Sequence, residues 1–361
     1  MRNLGKLAVL GITALGLALA GPQDNSLVIG ASQEPRVLAG DFLSVISNQA
    51  IKSEIEQYLF APFIGFNADS QNFPVLATEV PTLENGRLRV TDIGGGKKRL
   101  EMDITIRPDA KWSDGRPITT EDVAFYFEVG KAKGMPVLNP DFWERVNVRI
   151  KDARNFTLIF EPAYYYDTYG PINTYAPKHI MGPEWERVKA AARGLDPQKD
   201  AEKLNELYRN FFIKFSTPQA LNRGAMVYSG PFMLRRWVPG NSIEMVRNPN
   251  FPIKPEGGES KYVQKVVYRF IQNTNSLLVA VIGGSIDATS SVSLTFDQGR
   301  SPQLVRRAPG RFDIWFVPGA IWEHIDINKF ENCQVVKDLG LNDKRTRQAI
   351  LHALNREGLV K

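Results

Sequence analysis

Residues 104–128 read Ile104-Thr105-Ile106-Arg107-Pro108-Asp109-Ala110-Lys111-Trp112-Ser113-Asp114-Gly115-Arg116-Pro117-Ile118-Thr119-Thr120-Glu121-Asp122-Val123-Ala124-Phe125-Tyr126-Phe127-Glu128, a strand, a turn and a capped helix in succession. From Leu100 to Ile106 apolar and polar side chains alternate, with Met102, Ile104 and Ile106 on one face, as in a half-buried strand. Asp114-Gly115 supplies a tight turn, because glycine tolerates positive φ and aspartate bonds nearby backbone. Thr119 or Thr120 caps the helix that follows, and Glu121 and Asp122 place negative charge in its first turn, where the dipole favours it. The helix is expected to start near 120, to bury a stripe of Val123, Ala124 and Phe127, and to fray at Gly134-Met135-Pro136. No histidine, cysteine or paired carboxylate stands here at a catalytic or ligand spacing, so the stretch reads as scaffold.

Working outward, Ser26–Ala31 suits a first buried strand, and 50–60 carries Ile51, Ile55 and Leu59 at helical spacing. A strand-rich region follows Pro62, with 88–92 and 99–106 flanking a Gly94-Gly95-Gly96 hairpin tip. The run 155–160 alternates again, and Tyr164-Tyr165-Tyr166 falls on a loop, where packing and access to a cleft are both open readings. Helical patterns return at 184–192 and at 200–215, where Leu204, Leu207, Tyr208, Phe211 and Phe215 share a face. The period drops to two in 243–246 and 263–271. Alternating β and α units predict an α/β protein with a mixed sheet.

Enzyme signatures fail one by one. Gly94-Gly95-Gly96-Lys97-Lys98 lacks the phosphate-loop spacing and a hydroxyl residue after the lysine. His179, His324 and His352 are isolated, which leaves no zinc motif. Tyr228-Ser229-Gly230 lacks the G-x-S-x-G elbow. Glu121-Asp122 serves a helix start, and no catalytic residue, metal or cofactor is expected. The pairs Arg235-Arg236 and Arg306-Arg307 are solvated surface and the basic residues are spread along the chain, against a nucleic-acid partner.

The opening stretch resembles the signature of the extracellular solute-binding proteins of peptide-type ABC importers, family 5. In that family a strand ending L-R runs into K-x-S-D-G-x-P-x-T-x-E-D-V. Here Ile106-Arg107, Lys111-Trp112-Ser113-Asp114-Gly115, Pro117, Thr119 and Glu121-Asp122-Val123 follow in that order. Further matches come in family order: Ala176-Pro177-Lys178-His179-Ile180, then Ser229-Gly230-Pro231-Phe232 with Asn248-Pro249-Asn250-Phe251, then Gly283-Gly284-Ser285-Ile286-Asp287. The last is Asp343 to Glu357, where Thr346 replaces the family's valine and Asn355 its aspartate. The resemblance spans residues 25–361 and implies a periplasmic-binding-protein-like α/β fold: two main lobes with mixed sheets and an inserted strand-rich lobe. Residues 25–60 and 173–275 would form lobe I, 61–172 the lobe II insertion, and 276–361 the start of an incomplete lobe III. Members of the family continue well past this last helix, so the chain is expected to be a fragment or a truncated reading frame.

The resemblance further implies a receptor that closes on an extended peptide and delivers it to membrane permease subunits with their ATPases. It is expected to be a monomer that touches the membrane through the permease. The alternative is a truncated or degenerate relative with a structural or interaction role. Relatives on the same scaffold take nickel chelates, haem, oligosaccharides or opines, and fold does not choose among them. Candidate ligand residues are Ser47, Asn48 and Gln49 before the first helix, and Tyr228, Ser229 and Gly230 in a turn. From lobe III come Trp322, Glu323 and His324, which join an aromatic platform, an anion and a titratable donor. There Ile321, His324, Asp326 and Asn328 read equally well as the solvent side of an ordinary strand.

The first residues carry an export signal: Arg2 and Lys6, an apolar run from Leu7 to Ala20, and a small-residue cleavage site at Ala18-Leu19-Ala20. Pro22 stands where a lipoprotein needs cysteine, so a non-lipidated envelope or periplasmic protein starting near Gly21 is expected. Removing residues 1–20 takes two basic side chains and no acid, leaving 43 basic against 39 acidic residues. Cys333 is the sole cysteine, which rules out an internal disulfide, and it is expected to be buried as a small apolar side chain.

Overall fold

The computed structural model describes residues 25–67, 69, 71–164, 176–254, 257–258, 262–316, 326–355 and 358. The export signal at 1–20, Tyr165-Tyr166 and the candidates Trp322, Glu323 and His324 lie outside the described residues. In chain order come β1 (Ser26–Ala31), α1 (Ala50–Leu59), β2 (Ile64–Phe66), β3 (Asn72–Pro74), β4 (Leu88–Asp92), β5 (Lys98–Thr105) and α2 (Thr120–Gly130). There follow α3 (Pro140–Arg145), β6 (Val146–Ile150), β7 (Asn155–Ala163), α4 (Lys178–Ala192), α5 (Ala201–Ser216), α6 (Pro218–Asn222), β8 (Phe232–Val238), β9 (Ser242–Arg247) and β10 (Lys265–Phe270). The chain ends in α7 (Thr274–Ile282), β11 (Ala288–Thr289), α8 (Phe296–Gly299), α9 (Pro302–Val305), α10 (Gln334–Asp338) and α11 (Lys344–Ala353).

The principal sheet has the order β11-β1-β10-β9-β8. Strand β1 is parallel to both β10 and β11, whereas β9 runs antiparallel to β10 and β8. Period-two alternation gives β1 two faces. Ile29 and Ala31 join Ile51, Ile55 and Leu59 of α1 in the main core, and Val28 packs with Leu277 of α7 and Ile286. Gly30 lets α7 approach, because a Cβ there would sit 2.6 Å from Leu277 Cδ1. Helices therefore cover both faces of the sheet. A second sheet, β4-β5-β7-β6, is antiparallel throughout and shares the same core.

Strand β5 buries Met102 and Ile104, and Ile106 just beyond it, as its alternation predicts. Thr119 caps α2, with Asp122 reaching back to the Thr119 N–H at 3.0 Å. The buried surface of α2 is wider than the expected stripe, since Phe125, Tyr126, Val129 and Gly130 are buried while Ala124 is only partly so. The cause is tertiary: α2 packs on α4 and β6, and the Trp143 ring lies 5.4 Å from Tyr126 and 5.8 Å from Phe127. The helix ends at Gly130, short of the expected Gly134. Helix α4 starts at Lys178, earlier than the pattern suggested, and runs through Pro183. Its first N–H, on Lys178, is satisfied at 3.0 Å by Asp122.

On one face of the second sheet, Arg89 bonds Asp103 at 2.7 Å and Glu101 at 3.3 Å, Arg149 bonds Glu101 at 2.6 Å, and Lys151 and Thr157 bond Asp103 at 2.7 and 2.6 Å. Burial pushes the Asp103 carboxyl up, but the bonds from Arg89, Lys151 and Thr157 outweigh it and hold the group well below the usual range. A depressed folded value contributes stability above the unfolded pKa of about 4, and that stability is lost as pH falls through the folded value. Asp103→Asn should therefore cost on the order of 1 kcal/mol at neutral pH. In thermal melts the gap to wild type should close below about pH 4; a gap independent of pH would contradict this.

The stretch expected to open lobe III near 276 instead completes the first sheet, through α7 and the β11 pairing with β1. The packing divides later, into one compact unit up to Arg307 and a second from Ala308. In the second unit Asp343 caps α11, accepting from Arg345 N at 2.8 Å. Among its described residues Val336 is buried, while Trp315, Phe330, Val335, Leu339 and Leu351 are exposed. Cys333 precedes α10 and is partly exposed, a correction to the buried reading: it stands at a helix start and joins no core cluster. No helix among the described residues is long and apolar enough to cross a membrane.

Candidate functional site

Strand β1 leads through the segment 32–49 to α1 on one face of the principal sheet, and β10 leads through 271–273 to α7 on the other. The two chains part at adjacent parallel strand ends, which is the topological switch point where open α/β sheets bind ligands. Around it lie the strap 32–49 and the segment Ser290–Ser293, joined by Ser32, whose N and Oγ both donate to Val292 O at 3.0 and 2.8 Å.

Ser47, Asn48 and Gln49 stand at this edge, as the strap enters α1. Ser47 is buried, Gln49 partly so, and Asn48 exposed. Gln49 Oε1 accepts from Arg36 N at 2.8 Å and Ser47 Oγ at 2.9 Å, and its Nε2 donates to Glu34 O at 3.4 Å. Glu34 in turn accepts from Trp237 Nε1 at 2.7 Å and Gly240 N at 2.8 Å, which ties the strap to the β8–β9 hairpin. On the other side Glu54 accepts from Tyr268 OH at 2.8 Å, Ser290 Oγ at 2.9 Å, and Ser291 N and Oγ at 3.1 and 2.6 Å. Its lone pairs are thus spent on holding the rim. Among the described residues of these segments, Gln33, Arg36 and Asn48 of the strap and Gln272 and Asn273 after β10 are exposed, and they include a single cation, Arg36. Sequence reasoning missed Glu34 and Glu54, whose partners stand more than 200 residues away.

Tyr228, Ser229 and Gly230 are not brought to this edge; the structure packs them against the end of α1. Ser229 is fully buried and its Oγ accepts from Ala61 N at 3.1 Å. Gly230 N donates to Leu59 O at 2.8 Å, and a Cβ there would lie 2.6 Å from Leu59 C and Tyr58 O. Tyr228 is buried with its ring 5.8 Å from that of Phe60, and burial raises its phenol. The turn is a packing joint at the C-terminal end of α1. Ser113 N donates to Tyr228 O at 2.8 Å and Ser113 Oγ accepts from Tyr228 N at 3.0 Å. Asn248 Nδ2 donates to Gly230 O at 2.8 Å and Asn250 Nδ2 to Ser113 O at 3.0 Å. Three motifs distant in sequence therefore serve one seam between the sheets.

A groove of about 610 Å³ lies where α2 begins beside α4, lined in part by Arg116, Glu121, Phe125, Glu128, Lys178 and Glu186. Its charges are matched locally, Lys178 to Glu121 at 3.0 Å and Glu128 to Lys189 at 2.6 Å, and the His179 ring hydrogen-bonds Asp114 at 2.9 Å. Trp112 Nε1 donates to Asp122 at 3.3 Å beneath it. Among the described residues no three His, Cys, Asp or Glu side chains gather as a metal site.

An open mixed sheet covered by helices on both faces, with an inserted antiparallel sheet and polar groups at the switch point, defines a binding-protein scaffold. The chain belongs to the bacterial extracellular solute-binding proteins, family 5: the model of the family's middle region matches residues 97–361. It is 98% identical to, and superimposes with a TM-score of 0.91 on, the crystal structure of the oligopeptide binding protein from Thermus thermophilus complexed with pentapeptide, covering 95% of this chain and 57% of that one. It is 23% identical over 357 residues to the oligopeptide-binding protein AppA of Bacillus subtilis, covering 94% of this chain and 51% of the relative. The periplasmic EDTA-binding protein EppA shares the fold at a TM-score of 0.50 and 17% identity, over 73% of this chain and 42% of that one. The chain spans about half the length of the curated relatives it matches over most of its own length.

Proposed function

We propose that this chain is the ligand-capturing part of an ABC importer's receptor, taking extended peptides outside the cytoplasmic membrane and delivering them to permease subunits with their ATPases. The observation that carries this is the 98% identity, over 95% of the chain, to the Thermus protein crystallised with a pentapeptide. The exposed groups at the switch point suit such a ligand. Asn48 and Gln33 can pair with main-chain amides of any sequence, and Arg36 can meet a carboxylate. Affinity drawn from main-chain bonds tolerates many side chains. Capture is a closure equilibrium driven by contacts to both sides of the guest, with no bond broken. The leader at residues 2–20, without a cysteine at 22, fits a non-lipidated protein of the periplasm or cell envelope.

Native mass spectrometry of the protein purified without refolding tests the reading, in this chain and in the longer near-identical Thermus chain. Masses of short peptides should accompany the longer chain, released by denaturant, with rebinding at about micromolar Kd, roughly 8 kcal/mol. A co-purified sugar, haem or metal chelate in place of peptide would overturn it.

A further inference from the structure

Beneath the Ser47–Gln49 tip lie three buried charged side chains. Asp41 is fully buried, and Lys52 and Glu56 are 2% and 6% exposed. The Asp41 carboxylate accepts from the N–H groups of Val45 at 2.8 Å, Ile46 at 3.2 Å and Ser47 at 3.1 Å. Lys52 Nζ donates to the Asp41 main-chain oxygen at 3.0 Å, Ser44 Oγ at 3.4 Å and Glu56 Oε2 at 3.1 Å. Glu56 Oε1 accepts from Ala39 N at 2.9 Å. Two strap residues bonded to this group, Ala39 and Ser44, have left-handed φ of 61° and 55°, a conformation costly for a residue with a side chain.

Burying three charges is an expensive way to make a core, since apolar side chains of similar volume are commonly as stable. Here the charges sit where the backbone is strained and directly under the residues of the ligand edge. We infer that Asp41, Lys52 and Glu56 are positioning residues for ligand binding, fixing the 32–49 strap in the conformation that presents Asn48. The inference rests on the peptide reading above.

The pH response separates this role from plain stabilisation. Burial pushes Glu56 up to about 7, against the pull of Lys52. Burial raises Asp41 as well. The charged groups acting on Glu56 are Lys52 of its own helix and Asp41 of the strap. From α5, uncharged Phe212 packs on Phe42 and Ser216 O accepts from Leu38 N; from α2, neutral Tyr126 lies 5.4 Å from Phe42. Proton uptake by Glu56 turns its charge-assisted bond to the Ala39 N–H into a neutral one and removes the anion from Lys52, so the strap is held less firmly on the acid side. Global stability moves the other way. The folded group protonates at about 7 and the free group at 4.5, so the folded state holds more protons in that window and stability falls as pH rises through it.

The test is calorimetric titration with a pentapeptide mixture, alongside melting temperature, in the longer Thermus chain and in this one. Wild type should lose affinity severalfold from about pH 8 to about pH 5.5, while Glu56 contributes a rise in melting temperature. Asp41→Asn should bind about tenfold more weakly, as expected if the competent strap is populated about a tenth of the time. The double variant Lys52→Met with Glu56→Leu, which keeps an apolar fill, should melt near wild type yet bind weakly and without the pH dependence. Variants that bind as wild type does, or affinity that tracks melting temperature, would overturn the inference alone. A longer wild-type chain that binds no pentapeptide at any pH would overturn the peptide reading, and this inference with it.

Discussion

Replacing Trp112 by alanine is expected to lower the unfolding free energy of the first compact unit by roughly 3–5 kcal/mol, the range for a fully buried large aromatic. Trp112 has no exposed surface, and its Nε1 donates to Asp122 at 3.3 Å. Asp122 also accepts from Thr119 N and Lys178 N, at 3.0 Å each, so a single carboxylate serves the starts of both α2 and α4. Burial raises that carboxylate, and these donors oppose the shift. Loss of the indole removes apolar contact and one of the donors together. Trp112→Phe, which keeps most of the volume and drops the donor, should cost about 1–2 kcal/mol. Urea unfolding followed by far-ultraviolet dichroism measures both. Equal losses for the two variants would mean that the indole's volume does not matter here.

Gly230→Ala carries the second large effect, through the backbone. The added Cβ would stand 2.6 Å from Leu59 C and Tyr58 O and 2.7 Å from Phe60 N, main-chain atoms that cannot rotate away. The end of α1 must shift, breaking the Gly230 N to Leu59 O bond of 2.8 Å and disturbing the Asn248 contact to Gly230 O. A cost of about 3 kcal/mol, the upper part of the overpacking range, is expected. Gly224→Ala is the control: a Cβ there meets nothing within 4 Å, though φ of 78° still strains it. The melting temperature should fall much further for Gly230→Ala, and similar drops would sink the close-approach explanation.

What the sequence announced, it announced through periodicity and caps. Strand β5 showed its buried face in Met102 and Ile104, and Thr119 with Asp122 marked the start of α2 because capping is a local event. The width of the α2 buried face could not be read, since it depends on Trp143 arriving from another helix. Strand β11 has two residues, too few for a period, so the continuation of the first sheet past 276 gave no signal. Lys52 and Glu56 at i and i+4 look like a solvent-facing pair, and only the folding of the strap over α1 buries them. Of the candidate site, Ser47–Gln49 was legible as a polar run before a helix. Tyr228-Ser229-Gly230 was equally polar and small, and nothing local told that Leu59 would lie against it.

Hydrogen–deuterium exchange with and without a saturating pentapeptide mixture, on the longer Thermus chain and at positions matching this one, bears most directly on the switch-point edge as the ligand surface. Slowed exchange should concentrate in the strap at Val45–Gln49 and in Ser290–Ser293, with no change in the Tyr228–Gly230 seam. Saturable peptide binding that leaves both of those segments unaltered, or that protects the 228–230 turn instead, would contradict the account.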